Sequence, residues 1–313
     1  MSRLLIQTST PLCLLQDAGR FGVRHLGVTQ GGATDWLSMT WANALLGNSL
    51  DAAVVEITLG GLTLIAQSDC TLALAGADLA ATVDGQALAP WRSFTIKAGQ
   101  TLSFIRPLNG ARAYLAAPGG FDAPHVLGSC ATVVREQLGG PDGFGRALAA
   151  DDELSYRAHS HAVREIPEQQ VPRFAPQPVL DVVLGAQMGA FSGQSTFDAF
   201  NQPWTLDTRA DRMGIRLLGP ALVYQGEPMI SEGIPLGAIQ VPPDGQPIVL
   251  LNDRQTIGGY PRLGALTPLA LARLAQCLPQ EVVRLRPTTQ DAAQRQHLAS
   301  MQRFNPLVRR RRL

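Results

Sequence analysis

The chain has 313 residues, of which 45% are hydrophobic and 16% charged, and its formal net charge is +1. That length fits about two domains of roughly 150 residues each; the composition is that of a folded globular protein, and the charge balance gives no general attraction to nucleic acid. Lys97 is the sole lysine among 26 basic residues and lies between Ile96 and Ala98, which excludes a Walker A loop, a covalent biotin attachment point and a Schiff-base nucleophile on this chain.

From residue 4 to about 120, short apolar and β-branched runs (54–59, 71–75, 81–83, 94–96) are separated by Gly, Asn and Asp, the pattern of antiparallel strands. Asp84-Gly85 between two such runs predicts a type I′ hairpin. One helix is predicted over 34–46, where Thr34 or Asp35 can cap, Leu37, Trp41 and Leu45 fall on one face, and Gly47 supplies the stop. Over 159–178 the periodicity disappears, and Pro167, Pro172, Pro176 and Pro178 predict a stiff, extended linker. Strand signals resume at 179–184, 213–218, 239–241 and 248–251, with a turn at Pro243-Asp244-Gly245. A second helix starts at Thr267, with Pro268 in its first position and Leu269, Leu271 and Leu274 on its apolar face.

The expected architecture is therefore mainly β with a few short helices: a β domain over 1–165, a Pro-rich linker over 166–178, a second β domain over 179–287, and an Arg-rich tail over 288–313. The tail, with Arg303 and Arg309 to Arg312, reads as a solvated terminus rather than a nucleic-acid arm. Cys13, Cys70, Cys130 and Cys277 are too far apart for a C-x-x-C motif and read as buried thiols. His159 and His161 form an H-x-H pair beside the linker; no metal is expected there. No run reaches the ~18 apolar residues of a membrane span, so a cytoplasmic protein without membrane contact is expected.

Three polar clusters are candidate sites. Gln16-Asp17-Ala18-Gly19-Arg20 precedes Gly31-Gly32-Ala33-Thr34-Asp35 at a helix start; an Asp and an Arg there can orient a carboxylate or amide substrate, or simply form a loop salt bridge beside a helix cap. Asn252-Asp253-Arg254-Gln255-Thr256 follows an apolar strand and leads into Gly258-Gly259, where a ligand can approach the backbone closely. Asp211-Arg212 and Ser231-Glu232-Gly233 add a third pairing of Arg and carboxylate. Arg to neutralise an oxyanion and Asp or Glu to handle a proton suit chemistry on a carboxyl or amide group.

Taken together, 16–22, 32–35, Ala42-Asn43, 46–48, 56–58, Pro118-Gly119-Gly120, Gly128-Ser129, 212–214, Glu232-Gly233, 240–247 and 253–261 resemble the biotin-dependent carboxyltransferase A/B family. That family includes the carboxyltransferase domain of urea amidolyase and the C subunit of bacterial 5-oxoprolinase. The resemblance implies two cyclophilin-like β-barrel domains. It also implies an enzyme subunit that acts in a heteromeric complex with 5-oxoprolinase subunits B and A, using ATP bound by the complex to open 5-oxo-L-proline to L-glutamate. The same fold serves biotin-dependent carboxyl transfer to urea or another small amide, with biotin carried on another chain, and also non-catalytic regulation of a sensor kinase. Within this picture Asp17, Arg20, Asp253, Gln255 and Thr256 are the catalytic candidates, and Asp35, Asn43, Glu56, Arg212, Glu232, Gly258, Gly259 and Tyr260 the substrate-binding ones. The chain departs from the family pattern at 139–146, which carries about two extra residues before Asp151-Asp152.

Overall fold

A computed structural model describes residues 2–157 and 162–304; the His159 and His161 pair and Arg309 to Arg312 lie outside the described residues. The described residues group into two compact units. Of these, the first comprises residues up to Phe21, those of Gly31–Arg173, and Arg303 and Phe304; the second comprises Gly22–Gln30 and Phe174–Gln302. Among the described residues no helix is long and apolar enough to cross a membrane.

The first unit is built from two antiparallel sheets. One runs in the order Glu153–Tyr156, Ser2–Thr8, Leu62–Ala66, Thr101–Phe104, Thr82–Val83 and Gln86–Ala87; the other runs Cys13–Gln16, Val54–Thr58, Asn109–Ala116, Cys70–Asp78 and Arg92–Ile96. Alternation decides which side chains enter the core. Leu4 and Ile6, and likewise Leu62 and Leu64, are fully buried while their neighbours turn outward. Cys70–Asp78 is instead buried along nearly its whole length, because helix α1 (Trp36–Leu46) covers the face of that sheet away from the core. The Asp35 carboxylate caps α1 by accepting from the Leu37 and Ser38 N–H groups, and Gly47 ends it at φ +66°. Asp84 and Gly85 adopt φ +48° and +80°, as a type I′ turn requires.

The second unit is a closed barrel in the order Val179–Leu184, Arg262–Leu266, Ala238–Gln240, Ile248–Leu250, Gly214–Leu218, Trp204–Leu206 and Val282–Thr288. The first and last of these pair in parallel and close the ring. Asp181 and Arg286 sit opposite each other across that closure, and the Arg286 Nε donates to the Asp181 carboxylate at 2.7 Å. Helix α2 (Gly193–Asn201) is capped by the Ser192 hydroxyl, and its Ala199 carbonyl accepts from the buried Trp204 indole at 3.1 Å. Helix α3 (Pro268–Leu274) is capped by Thr267 with Pro at its first position, as its sequence predicts.

Within the barrel, backbones approach very closely where Arg262–Leu266 crosses Val179–Leu184. A Cβ on Gly264 would lie 2.2 Å from the Val183 carbonyl oxygen. Gly264→Ala must push two barrel strands apart and is expected to cost about 1–3 kcal/mol, read as a lowered melting temperature; an unchanged melting temperature would show that the barrel yields freely there.

Two expectations need correction. The segment read as a solvated tail contains helix α4 (Gln290–Gln302), and Phe304 beyond it is 1% exposed, its ring edge-on to Trp41 at 4.7 Å. The extended linker contains a short helical turn, Glu168–Gln170. Of the predicted β domains, the second is the closed barrel and the first is the pair of packed sheets.

Candidate functional site

In the first unit Asp17 and Arg20 both reach across the chain to residues 126–130. Asp17 accepts the Gly19 N–H at 2.7 Å and the Ser129 hydroxyl at 2.6 Å on one oxygen. Its other oxygen accepts the Cys130 N–H at 2.8 Å and the Cys130 thiol at 3.4 Å. Arg20, fully buried, donates to the Val126 carbonyl at 3.0 Å and the Ser129 carbonyl at 3.4 Å. Gly139, at φ +68°, lets the chain pass this guanidinium: a Cβ there would stand 2.1 Å from the Ala131 carbonyl oxygen and 2.5 Å from Arg20 Nη2. Burial and the Asp17 charge push the Cys130 thiol well up. Ligand atoms of Asp17, His125 and Cys130 lie within 4.8 Å of one another.

Glu56 is 1% exposed. It accepts the Thr34 N–H and the Tyr114 hydroxyl, each at 2.8 Å, while the Asp35 N–H donates to that same hydroxyl at 2.7 Å. Burial, then the charges of Glu56 and Asp35, raise Tyr114 well above its ordinary value, so it stays a neutral donor. Asn43 donates to the Ala52 carbonyl at 2.8 Å and accepts from Asn48 at 2.9 Å, while Asn48 also holds the Ala117 carbonyl and the Gly119 N–H. Asp35, Asn43 and Glu56 thus fix the start and end of α1 to the sheet behind it. At the 139–152 loop, Arg146 forks onto Asp152 at 2.6 and 2.8 Å and reaches Asp142 at 2.9 Å.

In the second unit the strand ending at Leu250 delivers Asp253 to Arg212. The guanidinium meets the carboxylate through two bonds of 3.0 and 3.1 Å, and the Asp253 N–H donates to the Arg212 carbonyl at 2.9 Å. Both side chains are shielded, at 15% and 9% exposure, so this is a water-poor, bidentate pair. Beyond it, Ile257–Gly258 forms a two-stranded ribbon with Glu232–Gly233. Glu232 accepts from Arg262 and from Gln187. Thr256 contributes its carbonyl, which receives the Ile234 N–H at 3.0 Å. Gly258 packs tightly: a Cβ there would meet Ile234 Cδ1 at 2.7 Å, with the Gln255 amide nitrogen at 3.6 Å. Gly259 lies beside the Met229 carbonyl, and Tyr260 holds its ring 48% exposed.

Of the residues singled out from sequence, the fold joins Arg212 to Asp253, Asp35 to Glu56 through the Tyr114 hydroxyl, and Glu232 to Gly258 in one ribbon. The sequence reading missed Arg262, the ion partner of Glu232, and Ser129 and Cys130, the partners of Asp17. Gly128-Ser129 stood among the motifs, but nothing in its spacing pointed to Asp17. Lys97 pairs with Asp69 at 2.9 Å on the exposed surface.

The family model for the carboxyltransferase domain, subdomain A and B, matches residues 26–287. The chain is 37% identical over 299 residues to the 5-oxoprolinase C subunit of Haemophilus influenzae, covering 94% of this chain and 92% of that one. It is 38% identical over 272 residues to the 5-oxoprolinase C subunit of Escherichia coli, covering 84% of each. The crystal structure of Kluyveromyces lactis urea amidolyase superposes with a TM-score of 0.91 at 24% identity over 97% of this chain, which spans 20% of that protein; this likeness is one of fold.

Proposed function

Because the chain belongs to the carboxyltransferase subdomain A and B family, we propose that it is the C-type subunit of an ATP-dependent 5-oxoprolinase and works there with subunits B and A. The observation that carries this reading is the 37–38% identity, over most of the chain, to two 5-oxoprolinase C subunits. The reaction opens 5-oxo-L-proline to L-glutamate. A lactam is a poor electrophile. Transfer of the ATP γ-phosphoryl group to the lactam oxygen, with ADP leaving, activates the ring carbon; in the hydrolytic step one water adds to that carbon and the ring C–N bond breaks to leave an acyl phosphate, and a second water cleaves the acyl phosphate to L-glutamate and phosphate. Both steps build negative charge on oxygen, and positioned donors in a water-poor site stabilise such charge most effectively.

With one surface lysine, this chain's share of that work falls to arginine, carboxylate and backbone groups. The Arg212–Asp253 pair fixes a carboxylate in one orientation, whereas the space over Gly258 and Gly259, expected from sequence to admit a ligand, is taken by Ile234, Gln240 and the Met229 carbonyl. Asp253 and Asp17 are the proposed proton carriers, Arg20 and Arg212 the proposed carboxylate or phosphate ligands.

The test reconstitutes the chain with the A and B subunits and follows glutamate and ADP release from 5-oxo-L-proline while omitting each component in turn. Omission of this chain is expected to abolish both products; undiminished release without it would remove the reading. The fold shared with urea amidolyase favours one second reading, carboxyl transfer from biotin on another chain to urea or a related amide. Bicarbonate-dependent carboxylation of urea by the reconstituted complex would select it.

A further inference from the structure

The ion pairs of Asp253 and Glu232 leave a group of buried donors in the second unit unexplained. Arg254 is 2% exposed. It donates to the Ile234 and Leu251 carbonyls, each at 3.2 Å, and to the Gln30 side-chain oxygen at 3.5 Å. Arg24, on the short helical turn Arg24–Leu26, donates to that same Ile234 carbonyl at 2.6 Å and to the Thr256 carbonyl at 3.1 Å. Two guanidinium groups therefore meet over one carbonyl oxygen, and every one of these acceptors is neutral. Burial, then the charge of Arg24, pushes Arg254 down to about 9, still above neutral pH, so the two charges coexist.

Two donors in this unit are left over. Nη1 of Arg24 and Nε2 of Gln240 are buried with no acceptor among the described residues. Gln240 is 2% exposed, and its Nε2 stands 3.1 Å from the position a Cβ on Gly258 would take. That same position is 2.7 Å from Ile234 Cδ1, so Ile234 touches the Gly258 ribbon with its side chain and both arginines with its carbonyl. Burying a cation against neutral partners is costly, and buried donors in native proteins are almost always satisfied. An oxyanion relieves both: its lone pairs accept from guanidinium forks and from the amide, and its charge offsets the repulsion between the arginines.

We propose that Arg24, Arg254 and Gln240 form an oxyanion-binding site that takes the carboxylate or phosphoryl group of a small molecule. The choice of a lactam carboxylate as a probe rests on the proposed function; the phosphoryl arm does not.

Isothermal titration of the full chain with inorganic phosphate, 5-oxo-L-proline and the uncharged lactam 2-pyrrolidinone tests this, using the natural chain, Arg24→Gln, and Arg106→Gln as an exposed control. At least one of the two anions is expected to bind and 2-pyrrolidinone not to. Arg24→Gln, which keeps donors but removes the charge, is expected to weaken binding about tenfold or more, and Arg106→Gln to leave it unchanged. Binding of phosphate alone assigns a phosphoryl group; binding of 5-oxo-L-proline alone assigns a carboxylate. Absence of binding by both anions, equal binding of 2-pyrrolidinone, or full binding by a folded Arg24→Gln chain would overturn the site. If the complex hydrolyses 5-oxo-L-proline while neither anion binds, this inference falls and the function stands; if phosphate binds through Arg24 but no hydrolysis occurs, the reverse holds.

Discussion

Asp253→Ala in the assembled complex is expected to reduce glutamate release at least about a hundredfold and to lower the melting temperature of the chain at the same time. The two effects have different origins. Removing one member of a shielded ion pair takes a charge from beside the other, at a cost of up to about 3–5 kcal/mol, and Arg212 is the partner that loses it, with only 15% of its side chain exposed. Replacing both members by apolar residues of similar volume, Arg212→Met with Asp253→Leu, removes the remaining charge as well and is expected to restore most of the lost stability. Activity is expected to stay low in the double variant, because no carboxylate remains. Recovery of both stability and turnover would sink the functional reading of Asp253 and leave the pair as scaffolding.

The second large effect is expected at Asp17. Asp17→Ala leaves the Gly19 N–H, the Ser129 hydroxyl and the Cys130 N–H without their acceptor. Each orphaned buried donor costs about 1–3 kcal/mol, so the sum is expected at the exceptional end of single-residue effects, about 4 kcal/mol or more. Thermal or urea unfolding of the isolated chain reads it directly. Asp17→Asn separates charge from shape. Its amide oxygen still serves part of the donor set, so the stability loss is smaller, while removal of the carboxylate takes away one cause that pushes the Cys130 thiol up. The direction follows: with that raising influence gone, Cys130 gives up its proton at lower pH and is alkylated faster at a fixed alkaline pH than in the natural chain. An unchanged alkylation rate in folded Asp17→Asn would mean that burial alone controls the thiol.

The fold was legible wherever the local pattern and the final packing agree. The apolar runs at 54–59 and 179–184, the Asp84-Gly85 turn, the Asp35 cap of α1 and the Thr267-Pro268 start of α3 are all short-range signals, and the chain obeys them. Helices α2 and α4 escaped for the same reason, a thin buried stripe. Only Ser195 and Ala199 are buried in α2, too narrow a stripe to read as a period, and α4 is so polar that its buried positions are only Ala293 and Ser300. In the candidate site, residue types and motifs were legible but partnerships were not. Arg212 and Asp253 are 41 residues apart, and Asp17 and Cys130 are 113 apart; no local spacing carries such information. Arg24 stood in no motif, and Gln240 read as part of a strand and its turn, because a donor that lacks an acceptor is visible only once the surrounding chain is in place.

The parallel pairing of Val179–Leu184 with Val282–Thr288 has a consequence for biosynthesis. The barrel's first strand leaves the ribosome about a hundred residues before the strand that completes it, so two raw β-edges stay open through nearly the whole translation of that unit. A nascent chain halted before residue 282 is not a smaller barrel but an unclosed sheet, open to pairing with any neighbouring strand. Sequence changes that delay or weaken that last strand are therefore expected to appear first as poor yield and inclusion bodies, before any purified protein shows a loss of activity.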